Sequence, residues 1–371
     1  MDSKNSSEIL VHLKENFIFY ALIAMISLLV IFLIVYFVYM KNLESRECSF
    51  MDTIFSTING SLKSLNATDP NCKYSLNDYY IKTAYNCCSP GTFKSDYVST
   101  CSLKDVLKQG VRGLDFEIFS IDNQPIVATS TSDSVYIKET YNSIPFADVM
   151  AIIINYAFAT SSSPNPTDPI IIHFRFKSNN QTMYQNLANL FKTYDSYFLG
   201  PEFSFETNGA NFGNIPLLSI MNKIVIIVDK VNNSFMDCKD FYEYVNLTSN
   251  SNFMRALRYY DIQNTPDLME LQEFNKQNMT ISLPDNGANP PNPSAIICRE
   301  TGTQMIALMY QKNDTNLQEN NVFFDQCGYA FCLKPERLRY IPTIVENPPP
   351  QDPALAYSTR SVATDYYAFD I

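Results

Sequence analysis

Asp115 and Glu117 stand two residues apart in the apolar run "GLDFEIF", so a strand there turns both carboxylates to one face. Such a pair chelates a divalent cation, flanks a reacting group, or neutralises a cation of the protein itself. A second run, "PIIIHFRFK", alternates His173, Arg175 and Lys177 onto one face. Proton transfer at neutral pH calls most readily on histidine, and of the 2 histidines in the chain only His173 follows residue 40. A lone histidine in a buried strand is more often a hydrogen-bonded core residue than a catalytic base. Cys87 and Cys88 follow Asn86 in "KTAYNCC", but that segment holds no histidine to activate a thiol, so burial or disulfide pairing is expected. There is no Cys-x-x-Cys zinc spacing, and with 10 glycines no Gly-rich phosphate cradle.

These residues need a scaffold, and the 371-residue chain, 46% hydrophobic, has the material for one. Phe17 to Met40 carries no charge and as a helix spans about 36 Å, enough to cross the hydrocarbon layer of a membrane. A cleaved signal would end in small residues, whereas Val35 to Met40 is bulky and aromatic. Lys4 and Lys14 before the span balance Lys41 and Arg46 after it, so flanking charge sets no orientation. All nine cysteines and seven of the eight Asn-x-Ser/Thr sequons, at Asn59, Asn66, Asn180, Asn232, Asn246, Asn278 and Asn313, follow the span, the eighth being Asn5 before it, which points to a single-pass protein with a non-cytosolic body. The net charge of −11 argues against a nucleic-acid partner.

The expected order is a short tail (1–16), the transmembrane helix (17–40), a polar juxtamembrane segment (41–77), an α/β body (78–340) and a Pro-rich extended arm (341–371). Within the body, strands are expected at 79–86, 111–119, 124–129, 169–177 and 223–231, and helices at 102–110, 146–159 and 181–194. A further strand–helix–strand pattern occupies 240–340 and includes "TQMIALMYQ". Strands joined by helical crossovers form a parallel sheet, and a barrel closes it without edges.

The order of these runs resembles the catalytic barrel of the phosphoinositide-specific phospholipase C family, with an X-like half (78–235) and a Y-like half (236–340). "YYIKTAYN" is similar to the family's first strand, "GVRGLDFEIF" to its Gly-x-Arg-x-x-Glu-x-Asp strand, and "PIVATST" to its Pro-x-x-x-His-Gly segment. The resemblance implies a TIM-like (β/α) barrel and a phosphodiesterase reaction using two histidines and a calcium ion held by one Asn and three acidic residues. Carried over position by position, the histidine positions hold Tyr85 and Thr129, and the calcium positions hold Asn86, Asp115, Glu117 and Arg175. Neither tyrosine nor threonine titrates near pH 7, and a guanidinium repels a divalent cation while pairing well with carboxylates. The family's phosphate grip is thin too, since Lys223 and Lys230 remain while Ile227 and Asp229 take the expected lysine positions.

The resulting expectation is a membrane-anchored pseudoenzyme with a degenerate, metal-free site, taking a phosphoinositide or other phosphate through Asn86, Asp115, Glu117, Arg175, Lys177 and Lys230. The alternative is an active phosphodiesterase acting on phosphoinositides or glycosyl-phosphoinositides, in which His173 serves a remodelled site, with Ca2+ as cofactor. The Asn-, Ile- and Tyr-rich composition and lone anchor are similar to phospholipase-like proteins of large DNA viruses, which implies a virion or host membrane.

Overall fold

The computed structural model describes residues 16–204, 209–342 and 359–371. Phe17–Lys41 is one continuous helix with no buried residue, long and apolar enough to cross a membrane. A second helix, Leu43–Ile54, follows at once, where the sequence suggested only a polar segment. Its Leu43 and Met51 are buried, and Cys48 forms a disulfide with Cys101 in the helix Thr100–Lys108.

The body strands are β1 (Tyr79–Ala84), β2 (Gly113–Ile121), β3 (Gln124–Val127), β4 (Ile144–Pro145), β5 (Ile170–Phe176), β6 (Ile224–Asp229), β7 (Leu247–Ser249), β8 (Met254–Arg258), β9 (Met279–Leu283), β10 (Met305–Leu308) and β11 (Phe331–Leu333). Eight of them pair in parallel in the order β7-β6-β5-β2-β1-β10-β9-β8. No ladder joins β7 to β8, so the barrel is nearly closed, with its seam there. The segment 124–129, expected among the crossover strands, is instead the return of a hairpin. Asp122 and Asn123 adopt positive φ of 50° and 63°, the geometry of a tight turn, and β3 runs antiparallel to β2 outside the ring.

Most of the ring strands are apolar on both faces because each face has its own core. Ile81, Ile171, Ile227, Met279 and Met305 fill the interior. Leu114, Phe116, Ile172, Phe174 and Ile226 point outward under the helices. Phe146 opens the helix Phe146–Ile152 and packs edge-on against Phe116, Phe174 and Phe191. Truncating so deeply buried a ring costs about 3–5 kcal/mol. That helix continues as a π-helical turn, Ile153–Ala157, within the longer helix expected from the sequence.

Helix ends follow local chemistry. Asn180 and Asp314 cap the helices Gln181–Lys192 and Thr315–Cys327 by accepting from backbone N–H groups, and Gly328 ends the latter at φ 79°. The C-terminal unit, Tyr340–Ile371, contains a short hairpin, Ser361–Ala363 with Ala368–Asp370, where an extended arm was expected. Residues 343–358 of that arm lie outside the described residues, as do residues 1–15 of the N-terminal tail.

Candidate active site at the barrel mouth

Register builds the site. β2 and β5 pair so that Asp115 stands opposite His173 and Glu117 opposite Arg175, while the intervening Phe116 and Phe174 face outward. Gly113 precedes them on the inward face, where a Cβ would collide with the Thr83 side chain of β1. Just past β1, Asn86 takes a positive φ of 43°, a conformation Asn tolerates well, and its backbone N–H donates to Asp115 Oδ2 at 3.3 Å.

Arg175 is the hub. Its Nε and one terminal nitrogen donate to the two oxygens of Asp115 at 3.1 and 2.8 Å, forming a fork. That same terminal nitrogen also donates to Asn86 Oδ1 at 2.8 Å, and the other terminal nitrogen donates to Glu117 Oε1 at 2.7 Å. The guanidinium also lies 4.5 Å from the centre of the Tyr85 ring. Burial disfavours charge on Asp115, yet Arg175 and then His173 outweigh it and hold this carboxyl well below the usual carboxylate range. Burial likewise opposes the charge on Arg175, but Asp115 raises its pKa far above the ordinary value.

His173 is held at both ring nitrogens, Nδ1 2.7 Å from Asp115 Oδ1 and Nε2 3.0 Å from Ser249 Oγ. Asp115, His173 and Ser249 thus have the connectivity of a hydrolase triad, but all three are wholly buried. Tyr85 is buried, which raises its hydroxyl pKa further from neutrality, and Thr129 donates its hydroxyl to the Phe93 carbonyl at 3.0 Å. Lys177 donates to the carbonyls of Ser132 and Asp133 at 3.1 and 2.9 Å, and burial lowers its pKa. Lys230 lies just past β6, half-buried, whereas Lys223 precedes β6 and donates to the Ser196 carbonyl. Lys223 therefore belongs to the opposite end of the ring. Cys87 and Cys88 are free thiols, buried, with pKa values pushed up by desolvation.

The structure adds four residues that sequence reasoning passed over. Arg258, ending β8, donates to both oxygens of Asp133, to the Pro284 carbonyl and, at 3.3 Å, to the Tyr85 hydroxyl. Burial opposes the Asp133 charge, but Arg258 lowers its pKa on balance. Ser130 donates to Glu117 at 2.7 Å, and Ser249 closes the chain to His173. For Arg258 the available signal was a charge at the C-terminal end of the short run "MRALR", where barrel strands present functional groups.

A calcium ion would need the oxygens of Asn86, Asp115 and Glu117, and Arg175 already engages each of these side chains while placing a positive charge among them. The donor set with Arg175 present does not fit the ion.

Residues 72–230 match the family model "Phosphatidylinositol-specific phospholipase C, X domain". No curated protein sequence matches the chain. Among solved structures, S. officinalis PLC21 is similar in fold with a TM-score of 0.55 at 18% identity, the match covering 72% of this chain and 38% of that one. L. pealei PLC21 gives 0.53 at 18% identity with the same coverage. The chain therefore spans well under half the length of these solved relatives.

Proposed function

Residues 72–230 are a phosphatidylinositol-specific phospholipase C X domain, and from that premise we propose that the protein is a membrane-anchored, non-hydrolysing barrel kept as a binding or structural module. One observation carries the reading: Arg175 spans Asp115, Glu117 and Asn86, replacing the metal with a guanidinium that belongs to the fold. The proton-transfer partners are missing as well. Tyr85 is a buried phenol with a raised pKa, Thr129 is hydrogen-bonded to a carbonyl, and a single histidine cannot serve two histidine positions. The helix Phe17–Lys41 supports the anchoring, and the sequons and the Cys48–Cys101 disulfide support a non-cytosolic body.

The test is release of inositol phosphate from phosphatidylinositol in nanodiscs carrying the full chain, with and without calcium. The expected result is no release above protein-free nanodiscs. Calcium-dependent release would overturn the reading. The Asp115–His173–Ser249 chain favours one second reading, a phosphodiesterase using His173 as base. Under it, turnover appears without calcium and vanishes in His173→Gln.

A further inference from the structure

Residues 130–139 cross the barrel mouth as a strap. Ser130 holds to Glu117, Lys177 grips the carbonyls of Ser132 and Asp133, and Glu139 accepts from the Thr131 hydroxyl and backbone N–H at 2.6 and 2.7 Å. Its centre is the Asp133 carboxylate, forked by Arg258 and 3.8 Å from Arg175. The side chains are arranged unequally: Arg175 is 3% exposed and Arg258 14%, whereas Asp133 is 42% exposed. Buried cations on rigid strands thus face outward to a carboxylate supplied by a surface loop.

Asp133 is the carboxylate that pairs with Arg258, so taking it away leaves that guanidinium without its counter-ion, while Asp229, which lines the same cavity, stays bonded to Asn250 and the Val231 backbone N–H. The fork that Arg258 presents is the geometry that suits a tetrahedral oxyanion equally well. The Tyr85 hydroxyl lies at the same guanidinium, and the buried Nδ2 of Asn86 has no acceptor, so further donors stand close by. The cavity bounded by Asp133, Arg175 and Lys177 measures about 10 Å³, no more than a water's worth of space, so a ligand cannot enter beside the strap and must replace it.

We propose that the mouth is an oxyanion site filled by the chain's own Asp133, and that a phosphate or sulfate group displaces this carboxylate and lifts residues 130–139. The proposal deepens the reading of the barrel as a binding module and rests on it.

Lys138 lies within the strap, so trypsin reports its release. The full chain in phosphatidylcholine nanodiscs is digested in chloride and in inorganic phosphate at equal ionic strength, and again in nanodiscs containing a phosphatidylinositol monophosphate. Phosphate should speed cleavage after Lys138 about tenfold, the worth of one charge-assisted pair, without changing cleavage elsewhere. Asp133→Asn should bind inorganic phosphate about tenfold more tightly than wild type, and adding Arg258→Gln should abolish that gain. A response to free phosphate supports a soluble ligand, and a response only to the lipid supports a headgroup. Cleavage indifferent to both overturns the proposal even if Asp133→Asn fails to fold. Inositol phosphate release is scored separately, so turnover would sink the non-hydrolytic reading alone, and an indifferent strap would sink strap displacement alone.

Discussion

Replacing Arg175 with Glu asks whether the guanidinium stands in for a metal. The change deletes the four hydrogen bonds to Asp115, Glu117 and Asn86 and brings a third carboxylate into a site where Asp115 is 0% and Glu117 1% exposed. Breaking a buried ion pair from one side costs about 3–5 kcal/mol. In a body of this size that lowers the melting temperature by roughly 5–15 °C. Calcium should return part of the loss, about 2.7 kcal/mol at a concentration a hundred times its Kd, because the variant offers Asn86 and three carboxylates to the ion. The pH responses should be opposite in sign. In the wild type the Asp115 pKa is depressed, so its stabilisation is present above the unfolded value and is lost only as pH falls through the lower folded value. In the variant the crowded carboxylates are raised, so stability falls as pH rises through their folded values. Melts of both proteins with and without calcium, from acid to neutral pH, decide the matter. Strong calcium stabilisation of wild type, or none of the variant, would refute the reasoning.

Lys82 is fully buried, its ammonium has no hydrogen-bond partner, and burial lowers its pKa to about 8. Between that value and 10.5 the unfolded chain holds a proton that the folded chain has released, so stability rises with pH; Lys82→Met should stabilise by about 3 kcal/mol at pH 7, with the gain shrinking toward pH 10.5 in denaturant titrations. Glu47, raised to about 8 by burial and then by Asp96, keeps a proton in the folded state that the unfolded chain has lost, so stability should fall between pH 4.5 and 8. Glu47→Gln should flatten that slope in melts across the same window. In a glycosylating membrane, glycans should map by mass spectrometry to the exposed Asn66 and Asn313 and not to Asn232 or Asn246, which are 8% and 3% exposed; the reverse pattern would contradict the packing around β6 and β7.

The barrel was legible in the sequence because long apolar runs such as "PIIIHFRFK" admit few other uses, and the Asp-x-Glu and His-x-Arg-x-Lys alternations placed their side chains on the inward face of β2 and β5. The segment 124–129 misled because a short apolar run reads alike as a ring strand or a hairpin return, and only the Asp122–Asn123 turn separates the two. The helix Leu43–Ile54 was missed because its own buried face is small and a disulfide, invisible as a pairing in one sequence, fastens it. Arg258 and Asp133 were passed over for a similar reason. They lie 125 residues apart, and nothing local in either segment announces the other.

The position of β1 within the ring has a consequence for synthesis. Thr83 and Ala84 pair on one side with β2, but the other edge, Ile81 to Ala84, waits for Met305 to Leu308, roughly 220 residues later, which takes on the order of 10–45 s of translation. Through that interval the first strand carries an unfilled ladder edge beside an apolar interior, the condition under which nascent chains aggregate or recruit chaperones. With so much of its pairing between distant segments, the body should fold slowly, and truncations that stop before β10 should accumulate as insoluble intermediates rather than as shortened barrels.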